Sequence, residues 1–98
     1  MIERLKKVTD IIQTYEGGEY KDLFKISRDL ACNIHFLTDY QIQYNVKWNQ
    51  EYYNHKSTVN AVKTRYADMV VPELYMLRHL IKTATNVSIA MAQEIKRN

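Results

Sequence analysis

The chain has 98 residues, of which 46% are hydrophobic and 26% are charged, and 14 Lys and Arg against 11 Asp and Glu give a formal net charge of +3. This length predicts a single domain over residues 1–98, and the apolar content excludes an intrinsically disordered chain. Two Gly and one Pro are too few for a sheet with many hairpins, so we predict an all-α fold of long helices.

A short N-terminal helix is predicted over residues 2–16, where large side chains recur every three or four positions. These side chains are Ile2, Leu5, Val8, Ile12 and Tyr15. The Gly17-Gly18 pair ends this helix, because glycine adopts the left-handed conformation of a C-terminal cap without steric conflict. A helix of about 15 residues is marginal alone, so it must pack against the rest of the chain.

A long central helix is predicted next, because residues 19–71 contain neither Gly nor Pro. Its apolar and aromatic stripe comprises Leu30, Ile34, Leu37, Tyr44, Trp48, Tyr52, Val59, Val62, Tyr66 and Met69. Two interpretations are open at residues 53–57, where Asn54 and Ser57 weaken helix propensity: the chain folds back, or a continuous or kinked helix runs through. We prefer the continuous helix, because the stripe keeps its phase there, and it predicts a coiled-coil-like oligomer.

A C-terminal helix is predicted from Pro72, which suits a first helical turn, with Glu73 favourably placed at its positive end. One face of this helix carries Leu74, Leu77, Ile81, Ala84, Val87, Met91 and Ile95. Because a few long helices enclose only a thin core, we expect the protein to form a homo-oligomer. Its interface is predicted at Tyr44, Trp48, Tyr52, Leu77, Ile81 and Met91.

Four aromatic side chains spaced four residues apart, Tyr40, Tyr44, Trp48 and Tyr52, share one face of the central helix. They could form a platform on which single-stranded bases stack. They could instead form a seam between helices or subunits, because Tyr and Trp bury a large area while keeping a polar tip hydrated. We favour the seam.

A basic segment follows the aromatic stripe, with Lys56, Lys63 and Arg65 and no acid between Glu51 and Asp68. Clustered cations without competing acids suit phosphate binding. On spacing alone we favour the other interpretation, that they are solubilising charges. Lys63 and Arg65 lie roughly 200° apart around the helix, so one helix does not easily direct both at one phosphate. Additional candidates for nucleic-acid contacts are Arg78 and Lys82 in the last helix.

Catalytic and metal-binding patterns are not evident in the sequence. The three histidines, His35, His55 and His79, lie far apart and have no companion at the spacing of a zinc site. Neither a glycine-rich phosphate loop nor a nucleophile–histidine arrangement stands out. We therefore expect a protein that is not an enzyme and needs no metal or cofactor. The single Cys32 is expected to lie beside apolar neighbours as an inert thiol in a reducing compartment.

Several segments resemble the phage recombination mediators of the UvsY type. The segment from Ala61 to Arg65, AVKTR, matches that family's apolar–Lys–x–Arg pattern, and the run from Asn33 to Tyr40, NIHFLTDY, resembles its Asn–apolar run ending in an aromatic. The apolar C-terminal helix is also similar, although this chain is shorter and lacks the family's polar insert before that helix. The resemblance implies an oligomer that binds single-stranded DNA through Lys63 and Arg65. It also implies a role in loading a strand-exchange recombinase onto DNA covered by single-strand-binding protein.

The sequence thus predicts a single-stranded-DNA-binding recombination mediator. Lys63 and Arg65 are predicted to contact the phosphates, with help from Lys56. A phage-encoded module that inhibits a host nuclease or defence complex is the main alternative, and a structural virion or assembly component is a further one. No apolar run approaches the roughly 18 residues of a membrane span, and the first residues lack the apolar core of a secretion signal. We therefore expect a cytoplasmic protein, in the host cell cytoplasm if it is phage-encoded.

Overall fold

A computed structural model describes residues 1–97, and it confirms the all-α prediction. Four helices follow one another: α1 (Ile2–Glu16), α2 (Leu23–Asn54), α3 (Asn60–Val70) and α4 (Pro72–Arg97). Residues 1–97 contain no β-strand. The first helix has its predicted bounds, and the last helix begins at Pro72 as predicted.

Local sequence signals account for most helix ends. Gly18 has a φ of +71°, the left-handed conformation that the glycine pair after α1 was expected to provide. Asp22 caps α2, because its Oδ1 accepts a hydrogen bond from the backbone N–H of Lys25 at 3.1 Å. Pro72 opens α4, and Glu73 lies in its first turn, where the helix dipole favours an acid.

The preferred prediction of a continuous helix across residues 19–71 is wrong, and the fold-back alternative is right. The chain leaves helical geometry between Asn54 and Asn60, and α3 turns back to pack along the end of α2. Two hydrogen bonds join the paired helices: the Trp48 indole N–H donates to Asp68 Oδ1 at 2.9 Å, and the Tyr52 hydroxyl donates to Asn60 Oδ1 at 3.2 Å. These contacts require the turn, since a straight helix would hold each pair far apart.

The long helix α2 is the spine on which the other helices pack. Helix α4 runs antiparallel to it, because Arg78 near the start of α4 contacts Asn45, and Glu94 near its end contacts Tyr20 just before α2. Helix α1 packs on the first half of α2 and α3 on the second half. The main core consists of Val8, Ile12, Leu30, Leu37, Leu77, Ala84, Val87 and Met91.

This core corrects two assignments to an oligomer interface. Leu77 and Met91 are each 0% exposed within a single chain, so neither side chain has surface left for a second copy. Both are predicted correctly as part of the apolar face of the last helix, but that face is covered by α1 and α2 rather than by another subunit. Cys32 departs from expectation in the opposite direction, because it is exposed on α2 instead of lying among apolar side chains.

Two tyrosines close the end of the molecule opposite α3. The Tyr15 hydroxyl donates to Glu94 Oε2 at 3.0 Å, and the Tyr20 hydroxyl donates to Glu94 Oε1 at 2.8 Å. Desolvation, followed by the bond to Glu94, raises the pKa of Tyr15 above its usual value of 10.0. The hydrogen bond to Glu94 is the main cause that raises the pKa of Tyr20.

The molecule is elongated, with principal extents of 56 × 24 × 19 Å and a radius of gyration of 16.9 Å. A compact domain of this length would have a radius of gyration of about 13 Å. The long shape follows from the length of α2, which at 1.5 Å per residue spans about 48 Å. It leaves much of α2 accessible and separates the two ends of the molecule.

Candidate nucleic-acid interface

The charge of the protein is concentrated at one end of this elongated shape, which we call the basic end (residues 45–82). It holds six Lys and Arg against three Asp and Glu, whereas the rest of the described chain, residues 1–44 and 83–97, holds eight of each. The contact between Arg78 and Asn45 shows that the close of α2, all of α3 and the start of α4 lie together. The formal excess of +3 therefore resides in one region of the surface.

The turn between α2 and α3 gives the basic end its shape. His55 ends α2 in an extended conformation, and its Nδ1 accepts a hydrogen bond from the Ser57 backbone N–H at 3.0 Å. The Ser57 Oγ in turn accepts from the Val59 backbone N–H at 3.1 Å. Short polar side chains thus satisfy backbone donors that the broken helix would otherwise leave free. The exposed Lys56 sits inside this turn.

One side of α3, the tryptophan flank (Trp48, Tyr52, Lys63, Arg78), combines aromatic rings with cations. The rings of Trp48 and Tyr52 stack with centroids 5.3 Å apart, and the Lys63 ammonium nitrogen lies 4.9 Å from the Tyr52 centroid. Such a cation–π contact holds a half-buried lysine in a defined place without neutralising its charge. Lys63 is therefore a positioned cation at this flank.

Arg78 extends the tryptophan flank along α2. Its Nη2 donates to Asn45 Oδ1 at 3.4 Å. Asn45 and Tyr52 are seven residues apart, which places them on the same side of α2 and about 10 Å apart along its axis. Arg78 and Lys63 thus follow one another along this side. Lys82 is exposed one turn further along α4.

The other side of α3, the histidine flank (His55, Lys56, Arg65, Tyr66), is separate from the first. The His55 and Tyr66 rings lie 4.6 Å apart and form a wall shared by two clefts. Lys56 lines a cleft of about 440 Å³ together with Glu51, and Arg65 lines one of about 240 Å³. The structure therefore places Lys56 and Arg65 on the same flank, in two clefts that share the His55–Tyr66 wall. Lys63 lies on the opposite flank, as the 200° separation from Arg65 predicts.

The aromatic stripe is largely an internal seam, which agrees with the interpretation that the sequence favours. Tyr40 and Tyr44 pack against the hydrophobic core, and Trp48 and Tyr52 join α2 to α3. Ile81 also packs against the core while remaining half-buried. These contacts engage the rings inside one chain.

Two features of this surface are not identifiable from the sequence pattern alone. Asp68, the acid that closes the basic segment, accepts the indole N–H of Trp48, and this engagement is visible only once the fold-back is known. The His55–Tyr66 wall also depends on the turn, since the two rings are 11 positions apart in the chain. A sequence signal for both does exist in the polar cluster at residues 54–58, which interrupts the helix.

Among residues 1–97, no group of three or more His, Cys, Asp and Glu side chains is arranged to hold a metal ion. No helix in this part of the chain is both long and apolar enough to cross a membrane. Comparisons of the chain with protein-family models, with curated proteins and with solved structures found no match in any of the three.

Proposed function

We propose that this protein binds single-stranded DNA through its basic end and acts as a recombination mediator, an accessory protein that assists recombinase loading. The observation that carries the proposal is the confinement of the whole charge excess to residues 45–82, where Lys63 is positioned over the Tyr52 ring. A cationic surface binds the phosphate backbone of nucleic acid, and it gains affinity by releasing condensed counterions.

Lys63 is the main phosphate contact in this proposal, because it is positioned over the Tyr52 ring. Arg65, which the sequence pairs with it, lies on the opposite flank and is a further contact, together with Lys56, Arg78 and Lys82. Arg65, Lys56, Arg78 and Lys82 are exposed, so their cationic groups meet a ligand without rearrangement of the fold. The mediator role is supported by the resemblance of residues 33–40 and 61–65 to UvsY-type proteins. That resemblance also supplies the proposed protein partners, a strand-exchange recombinase and a single-strand-binding protein.

The test is fluorescence anisotropy of a labelled single-stranded oligonucleotide titrated with the protein at two salt concentrations. The Lys63→Ala/Arg65→Ala variant is compared with Lys6→Ala/Lys7→Ala. This control removes two exposed cations of α1 from the balanced end, by which we mean residues 1–44 and 83–97, where acidic and basic side chains are equal in number. We expect salt-sensitive binding that the first variant weakens by at least about 5-fold at 0.1 M salt and the control leaves within about 2-fold. Equal effects of both variants, or salt-insensitive binding, would contradict the proposal.

A second candidate function is inhibition of a host nuclease or defence complex by direct protein contact. It is favoured by one observation: Val62 and Met69, which were predicted to lie in a packed stripe, are exposed on α3 beside Arg65. Exposed apolar side chains next to a cation are common at protein-binding hot spots. Absence of DNA binding together with a host complex that Val62→Asp/Met69→Asp disrupts would favour this function over the mediator role.

A further inference from the structure

A second apolar stripe runs along the outside of α2, away from the core. Phe24, Ile42, Val46 and Tyr53 are 63%, 58%, 52% and 73% exposed. At 100° per residue they fall within a sector of about 40°, roughly 140° around the helix from the buried Leu30 and Leu37. This outer stripe differs from the one predicted from the sequence, whose α2 members Leu30, Ile34, Leu37 and Tyr44 pack inside the chain.

Two further exposed residues, Ala31 and His35, extend this outer stripe. The exposed Arg28 lies in the same sector, with its guanidinium carbon 5.8 Å from the Phe24 ring centroid, and is the cation at the edge of the stripe. The six positions, 24, 31, 35, 42, 46 and 53, are separated by 7, 4, 7, 4 and 7 residues. These separations read the same in both directions, so the stripe is symmetric about a point between Thr38 and Asp39. A pattern with this symmetry is complementary to a second copy of itself running in the opposite direction.

We propose that the outer stripe of α2 is the interface with a second copy of this chain, with the two α2 helices antiparallel. In this register Phe24 packs on Tyr53 of the second copy, and Ala31 packs on Val46 of the second copy. His35 meets Ile42 of the second copy near the two-fold axis, where a polar residue in an apolar seam helps to fix the register. The seam extends over about 44 Å of helix.

The charge distribution supports the antiparallel direction. A parallel pair would set two basic ends, each with three excess positive charges, side by side. The antiparallel pair sets each basic end beside the other copy's balanced end, where acidic and basic side chains are equal in number. Because repulsion between charges is largely screened beyond about 8 Å at physiological salt, the charges on the two adjacent surfaces decide the preference.

Sedimentation equilibrium of three proteins tests the interface. Ile42→Asp places a carboxylate in the seam, and Ile89→Asp is its matched control, because Ile89 is 53% exposed on the outer side of α4. We expect the wild type and Ile89→Asp to dimerise, and Ile42→Asp to raise the dimer dissociation constant by at least about 100-fold, since unpaired charges are costly to bury. Circular dichroism checks that the helix content of all three proteins is equal.

A monomeric wild type, or an Ile42→Asp variant that dimerises as well as the control, would overturn the interface. The direction is tested by cross-linking single cysteines with a short bis-maleimide in a Cys32→Ser background. Thr38→Cys lies beside the two-fold axis and should cross-link, whereas two copies of Ala31→Cys would be about 22 Å apart and should not. Cross-linking of both variants would overturn the antiparallel register. The proposal does not depend on DNA binding, because each readout is made without nucleic acid.

Discussion

The division of the basic end into two flanks allows a sharp test of the path taken by a single strand. Lys63 and Arg78 follow one another along the tryptophan flank, because their partners Tyr52 and Asn45 are about 10 Å apart along the axis of α2. Lys56 and Arg65 share the histidine flank, where Glu51 lines the same cleft as Lys56. The tryptophan flank also carries an acid, Asp68, but the Trp48 indole N–H donates to its Oδ1, so Asp68 opposes a phosphate less than Glu51 does. We therefore expect the strand to follow the tryptophan flank.

The magnitude follows from counterion release. For single strands, each phosphate contact contributes a slope of about −0.7 to the dependence of log K on log salt, which is about 5-fold in affinity at 0.1 M salt. Removal of two contacts by Lys63→Ala/Arg78→Ala should lower affinity about 25-fold and make the slope shallower by about 1.4. Lys56→Ala/Arg65→Ala should lower affinity by about 5-fold or less, because it removes charge from the region without removing two contacts.

Anisotropy titrations with one labelled oligonucleotide, repeated at four salt concentrations, give both the affinity and the slope for each double variant. Circular dichroism and urea unfolding establish that the variants are folded, which matters for Lys63 because of its contact with the Tyr52 ring. The reverse ranking of the two variants would refute the proposed path. Equal losses with unchanged slopes would refute the phosphate contacts themselves, since lost contacts must change the salt dependence.

Three further predictions concern stability. Leu77→Ala should lower the free energy of unfolding by about 2–5 kcal/mol in urea titrations, because Leu77 is 0% exposed and its removal leaves a cavity. Gly18→Ala should lower it by about 1–2 kcal/mol, since a side chain at a φ of +71° is strained although nothing obstructs the space. The pKa values of Tyr15 and Tyr20, which donate to Glu94, are raised in the folded protein. The two hydroxyls therefore contribute their full stabilisation below about pH 10, and this stabilisation is lost as pH rises through the raised pKa values. Thermal unfolding from about pH 9 to about pH 11 should show a shallower decline for Glu94→Gln than for the wild type.

Helix content and most helix ends follow from sequence, because they depend on interactions between residues close together in the chain. The apolar period and the glycine pair define α1, and Pro72 defines the start of α4. Leu77 and Met91 are also identified correctly as residues of an apolar face. What covers that face is a tertiary question, and the prediction of a subunit interface there is wrong because α1 and α2 cover it first.

The turn at residues 55–59 could not be chosen from local signals. Helix propensity there is weak but not forbidding, and the apolar stripe continues in phase, so the local balance favours a helix slightly. The contacts that reverse this balance join residues far apart in the sequence, such as Trp48 with Asp68. Once the chain folds back, Lys63 goes to one flank and Arg65 to the other. The residues of the candidate site are therefore predictable, while their grouping is not.

The outer stripe of α2 could not be identified from the sequence for a different reason. One of its six members is Ala31 and another is His35, so the stripe is weaker than the larger side chains of the inner face, such as Leu30 and Leu37. A helix read alone gives no reason to look for a second face after the first is found. Only the packing of α1, α3 and α4 on the inner face shows that the outer one remains uncovered.

The two proposals together predict how affinity depends on the length of the DNA strand. An antiparallel dimer carries its two basic ends at opposite ends of a seam of about 44 Å. A strand long enough to reach both ends binds the second one intramolecularly, at a high effective concentration, whereas a shorter strand occupies one end only. Ile42→Asp should therefore weaken binding of the long oligonucleotide by at least about 100-fold and leave binding of the short one unchanged. Equal losses at both lengths would mean that the outer stripe contacts DNA directly, and equal retention would mean that the two basic ends bind independently.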